Sequence, residues 1–562
     1  MSSRWQTYRR DALRDDLVAA FIVAILLIPQ SLAYALLAGL PPQVGVYASL
    51  LPMAAYALLG SSSVNSVGPV AVVALLTAQA IAPALADGTP ATAAALVLAA
   101  EAGLLLAAAA LFRLDALAAL LSTPVLHGFS TGAALAITLS QLPALLGSPA
   151  RGFTAPALLG SWWASGVAGH ALTAAFGLAA LALLWWSRRS ARALLARWLP
   201  PHNASLLARC APLAVVTLGI ALAWASGADA RGVALVGTLP AFALPLALPP
   251  LDPALWWRLL PSAAPLALVT FVSSLAVSEG LALRRREQVD ARRELTGLAA
   301  ADLVAACSAG MPIGGSFSRG ALNAEAGART RASGGWAALL MALAMLLLTA
   351  PLAWLPRAVL AASIVLAVMG VVEWRAFAEA WRYSRAEFAV MVLVGALTLF
   401  VGSEAALAAG VALSIALLLQ RSANPHVARI GRVGDTEHYR NVDRHAARST
   451  PGVLALRIDE SLVFTNARQL VNVVDRHLAA LPDTRRVVLL MSPVNAIDYS
   501  ALEALRALHD LLAERGIRLD LTEVKGPVLD RLRAGGWAQW FRGRVFLSHH
   551  QGMLDEGGQG AA

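Results

Sequence analysis

The stretch Met311-Pro312-Ile313-Gly314-Gly315-Ser316-Phe317-Ser318-Arg319-Gly320 sets an arginine and two hydroxyls at a Gly/Pro break between hydrophobic spans. An ionisable side chain at bilayer depth costs roughly 3 kcal/mol on insertion scales and characteristically faces a cavity or a substrate path. A helix that begins in mid-membrane leaves its first N–H groups free, and its positive end adds to the arginine charge. The stretch reads as a place to hold an anion, with a snorkelling, interfacial Arg319 as the alternative.

Composition sets the surroundings of that break. Of the 562 residues, 58% are hydrophobic and only 14% charged, which excludes an ordinary soluble domain for most of the chain. The formal net charge of +10 points to membrane topology rather than nucleic acid, because the arginines cluster beside hydrophobic spans. Cys210 and Cys307 lie far apart and match no metal or redox spacing, so neither metal nor organic cofactor is expected. Arg4, Arg9, Arg10 and Arg14 before Leu17 read as the charged flank of a retained first span, since no small-residue cleavage site follows.

A membrane helix needs about 20 apolar residues. Fourteen candidates fit, near 17–36, 42–59, 67–85, 91–112, 119–145, 170–187, 211–226, 262–282, 295–309, 316–327, 333–354, 356–372, 387–402 and 404–420. The even-numbered connections carry Arg113, Arg188 to Arg209, Arg284 to Arg293, Arg329 with Arg331, and Arg375 to Arg385. That asymmetry predicts both termini on the cytoplasmic side of a bacterial-type inner or plasma membrane. Two spans are broken at matching places. Ser61 to Ser66 and Gly68-Pro69 open the third, and Pro312, Gly314 and Gly315 open the tenth, each third in its set of seven. Such paired interruptions point to an inverted-repeat transporter with its site between them, the alternative being two interfacial turns.

Domain boundaries are expected at 1–421 for the transmembrane part, 422–450 for a linker and 451–556 for a cytoplasmic α/β domain. In that last part, strands are predicted at Val453 to Ile458, Arg486 to Met491 and Arg518 to Thr522, and helices near 466–480, 499–515 and 525–535.

Four motifs resemble the SulP family, the sulfate-permease and solute-carrier anion exchanger group. They are Pro29-Gln30-Ser31-Leu32-Ala33-Tyr34 followed by Ala38 to Tyr47; Ser66-Val67-Gly68-Pro69-Val70-Ala71-Val72-Val73; Ser278-Glu279-Gly280; and Gly314 to Arg319 with Ala326-Gly327-Ala328-Arg329-Thr330. The third and fourth together look most like the plant-type proton-coupled sulfate transporters. The C-terminal part resembles a STAS domain, including Ala496-Ile497-Asp498-Tyr499-Ser500 after its central strand. The resemblance implies a uracil-permease-like fold of seven plus seven inverted spans, a core domain moving against a gate domain, and a homodimer. It implies transport of sulfate with protons; bicarbonate, chloride, oxalate and dicarboxylates are the family's other anions.

Gln30 and Tyr34, four apart, share one helix face, where an amide and a phenol could both donate to one anion or else serve as helix-helix glue. Ser66, with the backbone N–H groups of Val67 and Gly68, and opposite them Ser316, Phe317, Ser318 and Arg319, complete an expected cage of neutral donors and one positive charge. Glu279, expected to be buried in the eighth span, is the candidate proton carrier or else an ion-pair partner of Arg319, and Glu101 is the second proton candidate. Moving a dianion inward against an inside-negative potential costs about 4.6 kcal/mol per 100 mV, which makes a coupling proton useful. Ser500 occupies the place of a phosphorylated residue in related domains, but assembly and partner contact are the favoured role for this part. No nucleophile, base and orienter occur together there, so an enzyme is not expected; a membrane anion sensor is the rival from another class.

Overall fold

The computed structural model describes residues 10–115, 121–165, 169–198, 200, 204, 207–208, 211–239 and 246–555. Arg4, Arg9, Arg209, Cys210 and the start of the 119–145 span lie outside the described residues. The chain divides into two compact units, Met1–Ser414 and Ile415–Ala562.

Among the described residues of the whole chain, nine helices are long and apolar enough to cross a membrane, and Ala71–Ala86 and Ala211–Ala225 are shorter apolar helices. On Ala332–Ala353, Leu339, Leu343, Leu346 and Leu347 stand exposed at helical spacing, an apolar stripe suited to hydrocarbon. Contacts between helices follow a different rule. Lipid is as apolar as leucine, so helices in a bilayer associate where small residues let backbones approach. Helix Ala91–Leu111 meets Ala291–Cys307 through Ala99, Ala100, Ala305 and Ala306. On Thr123–Leu146, a Cβ at Gly128 would stand 2.4 Å from the Met391 carbonyl oxygen, so only glycine permits the approach of Arg385–Phe400.

The third and tenth spans do not begin as helices. Ser66–Gly68 forms strand β1 and Gly314–Ser316 forms strand β2, and the two pair antiparallel with Ser66 opposite Ser316, Val67 opposite Gly315 and Gly68 opposite Gly314. Helices Ala71–Ala86 and Phe317–Glu325 then start just beyond the pair. Pro69 and the glycines disfavour helix, and the ladder serves backbone groups that lipid could not. The end of the tenth-span helix is tied to the first: buried Asp16 accepts from the Arg329 N–H at 2.7 Å and the Thr330 N–H at 3.1 Å, while Arg329 pairs with Asp15 at 2.6 Å.

The second unit is built on a six-stranded sheet. Strands β3 (Val427–Arg432), β4 (Tyr439–Asn441), β5 (Val453–Ile458), β6 (Arg486–Leu490), β7 (Arg518–Thr522) and β8 (Val545–Phe546) take the order β4-β3-β5-β6-β7-β8. Strand β3 lies antiparallel to β4 and β5, and β5 through β8 run parallel. Segment 422–450, expected as a linker, therefore supplies two strands. Its Val427-Ala428-Arg429-Ile430-Gly431-Arg432 alternates apolar residues with arginine, so it lacks the continuous apolar run of a buried strand. Asp498 caps helix Tyr499–Glu514 by accepting from the Ala501 N–H at 2.8 Å, and it also accepts from the Phe464 N–H at 2.7 Å; Ser500 is exposed.

Behind the sheet, helix His549–Leu554 buries His549 against Tyr439 edge-to-face at 4.6 Å, with Nδ1 2.8 Å from Thr522 Oγ1. Burial, aided by Arg486 and against the pull of Glu523, pushes the His549 imidazole down from 6.5 to about 4. An unfolded histidine takes up its proton near 6.5, so this contribution is fully present above that pH and fades as pH falls toward 4, a loss of up to ~3 kcal/mol. Replacement His549→Gln should lower stability at neutral pH and flatten the domain's unfolding curve across that window. Chemical unfolding followed by tryptophan fluorescence checks it, and an unchanged acid slope would mean His549 titrates elsewhere.

Candidate functional site

Ser316 ends β2 and caps the helix Phe317–Glu325, its Oγ accepting from the Arg319 N–H at 3.4 Å and lying 3.2 Å from Ser318 Oγ. That geometry turns the Arg319 side chain back across the strand pair. Arg319 is 1% exposed. Its Nη1 donates to the Pro69 carbonyl at 2.9 Å and to Gln30 Oε1 at 3.4 Å, Nη2 donates to the Ser66 carbonyl at 3.4 Å, and Nε has no partner. All three acceptors are neutral. A buried guanidinium held only by amide oxygens keeps its full charge uncompensated, which is the condition for attracting an anion.

The expected cage is brought together in large part. Tyr34 is buried and within electrostatic reach of Arg319. Gln30 is half-buried and spends its carbonyl oxygen on Arg319, so only its amide nitrogen is left to donate. Ser66 is buried with its hydroxyl unpartnered, and Val67 is fully buried. Gly68 lies against the guanidinium: a Cβ there would stand 3.5 Å from Arg319 Nη2, at ordinary van der Waals contact. Phe317 is 50% exposed and Ser318 is exposed, the latter with its Oγ 3.2 Å from Ser316 Oγ, while Arg319 and Gly320 on the same short helix are buried.

The eighth-span carboxyl is placed differently from the sequence reading. Glu279 is exposed, and it makes no ion pair with Arg319. Helix Pro253–Arg285 turns Ser274 and Ser278 inward instead: Ser274 Oγ accepts from the Gly315 N–H at 2.7 Å, and Ser278 Oγ donates to Glu294 at 2.9 Å. A one-residue offset on a 3.6-residue helix moves a side chain by about 100°, enough to turn Glu279 away from the packed face that carries Ser274 and Ser278. Glu101 is buried, with Oε2 unpartnered.

Glu294 escaped the sequence reading. Fully buried, its carboxylate accepts from Tyr56 OH at 2.7 Å, Ser61 Oγ at 2.5 Å, Ser278 Oγ at 2.9 Å and Asn65 Nδ2 at 3.3 Å. Together with Ser278 Oγ, which accepts from the same Nδ2 at 3.0 Å, it holds Asn65, the residue before β1. Following Arg292 and Arg293, it reads in sequence as one more cytoplasmic charge, and only long-range partners reveal its role.

Residues 13–394 match the sulfate permease family, and residues 445–552 match the STAS domain. A probable sulfate transporter of Mycobacterium tuberculosis is 34% identical over 541 residues, covering 94% of this chain and 93% of the relative. Probable sulfate transporter 4.2 of Arabidopsis thaliana is 32% identical over 564 residues, covering 96% and 81%. Among solved structures, the murine solute carrier 26 family member A9 anion transporter in the inward-facing state superposes with a TM-score of 0.86 at 22% identity, covering 98% of this chain and 93% of that one. The transmembrane domain of a cyanobacterium bicarbonate transporter gives 0.61 at 19% identity, covering 72% and 98%.

Proposed function

The chain belongs to the sulfate permease family, and on that premise we propose that it is a multi-pass membrane anion transporter importing sulfate with protons by alternating access. It is a transporter and not an enzyme. One observation carries the reading: Arg319 is buried where β1 meets β2 and is bonded only to neutral oxygens. Neutral donors around one fixed charge suit a substrate that must also leave, and a strand pair joining two half-spans can shift as they move.

Sulfate is favoured because relatives at 32% and 34% identity are sulfate transporters by name. Inward sulfate movement against the membrane potential needs a counter-charge, and a proton supplies it. Glu101 has the burial that ties protonation to the carrier's interior, while Glu279 enters the proposal as an exposed titratable group. A homodimer with both termini on the cytoplasmic side completes the proposal.

Uptake of labelled sulfate into proteoliposomes should rise with an inward proton gradient and be competed by related anions. Glu279→Gln and Glu101→Gln, tested alone and together, assign the coupling. Uptake insensitive to the gradient would refute symport, and absence of counterflow would favour a sensor.

A further inference from the structure

Helix Ala291–Cys307 buries two carboxyl groups in opposite circumstances. Glu294 is served by four side chains. Asp302 is 0% exposed, its Oδ1 accepts from the Ile313 N–H at 3.0 Å, and its Oδ2 has no hydrogen-bond partner. The elements against this helix are Leu51–Leu59, Ala91–Leu111 and Pro253–Arg285. Their titratable groups with described side chains are Tyr56, Glu101, Arg258, Glu279 and Arg285. Tyr56 is bonded to Glu294, Arg258 to Asp87, and Arg285 to Glu287 and the Ala328 carbonyl. Arg292 and Arg293 are two to three turns away on the same helix. Among the described residues, no cation pairs with Asp302. A buried carboxylate with one backbone donor is a charge without compensation, and a proton is the ligand that supplies it.

Its single bond has a consequence for the anion site. Ile313 immediately precedes β2, which sets Ser316 opposite Ser66 and opens the helix bearing Arg319. We propose that Asp302 is a proton-binding, positioning residue for the anion site, neutral while the anion is bound and exchanging its proton with water as the empty carrier resets. As a carboxylate it grips the Ile313 N–H by a charge-assisted bond and opposes an incoming anion; as an acid it grips more weakly and its field on the site is gone. Anion and proton binding then favour each other reciprocally. The proposal rests on the transport reading only for the choice of anion.

The test uses the full chain in lipid nanodiscs, with sulfate as probe and Asp302→Asn, which keeps Oδ1 and the volume but cannot titrate. Wild-type sulfate affinity should weaken as pH rises, by up to about tenfold per pH unit, the limit for one linked proton. The asparagine variant should hold the acid-limit affinity at every pH, and Asp302→Ala should bind weakly throughout, since Ile313 loses its acceptor. A wild-type pH profile in the asparagine variant would leave Asp302 merely structural and overturn the proposal. Infrared spectroscopy reads the proton without any anion: a carboxylic-acid carbonyl band that titrates in the wild type and is missing from the asparagine variant supports the assignment, and its presence in both refutes it. Should sulfate fail to bind at any pH, the infrared result still decides the role of Asp302, and only the sulfate reading falls.

Discussion

Arg319→Ala abolishes anion binding, lowering affinity by about 100-fold or more, while the protein remains folded. A charge-assisted hydrogen bond contributes about 1.5–3 kcal/mol, and two such bonds from one guanidinium exceed the ~2.8 kcal/mol that 100-fold requires. Folding responds less, because two effects oppose. Removing a buried charge relieves its desolvation, while the Pro69 and Ser66 carbonyls and Gln30 Oε1 lose their donor. Arg319→Lys recovers little, since an ammonium cannot span Pro69 and Ser66 with the fixed fork that now reaches both. Calorimetric titration of purified variants with unchanged elution and melting profiles measures this, and wild-type affinity in the alanine variant would remove Arg319 from the site.

How much of this was legible in the sequence depends on the range of the interaction that decides each feature. The long apolar helices are legible because hydrocarbon solvation is a local, additive property of about 20 residues, whereas the expected spans near 295–309, 316–327 and 387–402 are not among the apolar helices of the described residues. The two interruptions were legible because proline and glycine act on their own backbone, and their matching positions suggested that they meet. What they form was not: three-residue strands carry no periodicity, and the register of Ser66 on Ser316 is a property of the pair. Glu279 shows the limit from the other side. Its place in a motif was clear, but the face it occupies depends on helix phase, which Ser274 and Ser278 reveal only through Gly315 and Glu294. In the C-terminal unit the apolar runs of β5, β6 and β7 announce strands directly, whereas β3, interrupted by arginines, and the three-residue β4 carry no such run.

Glu294 is where the largest loss of stability is expected. Glu294→Ala strands the hydroxyls of Tyr56, Ser61 and Ser278, donors grouped about a buried acceptor, and leaves the Asn65 amide only its 3.0 Å bond to Ser278 Oγ. A buried donor left unserved costs about 1–3 kcal/mol, so stranding three hydroxyls outweighs the desolvation relieved by removing a buried carboxylate. The variant should therefore lose roughly 4 kcal/mol of unfolding free energy and express poorly. Glu294→Gln separates site from stability. It keeps one carbonyl oxygen but forces a hydroxyl to turn and accept from the new amide, so the hold on Asn65 and the start of β1 loosens to the Ser278 bond while most of the packing survives. Sulfate affinity should then fall by about tenfold with a smaller loss of stability, as expected when one charge-assisted bond becomes neutral. Tyr56→Phe removes a single donor and should cost about 1–2 kcal/mol, and combined with Glu294→Gln it should cost less than the sum because the two share one bond. Detergent-titrated unfolding and calorimetry on the three variants decide the matter. Strict additivity would show that the network acts as separate bonds, and full anion affinity in Glu294→Gln would show that β1 keeps its place without it.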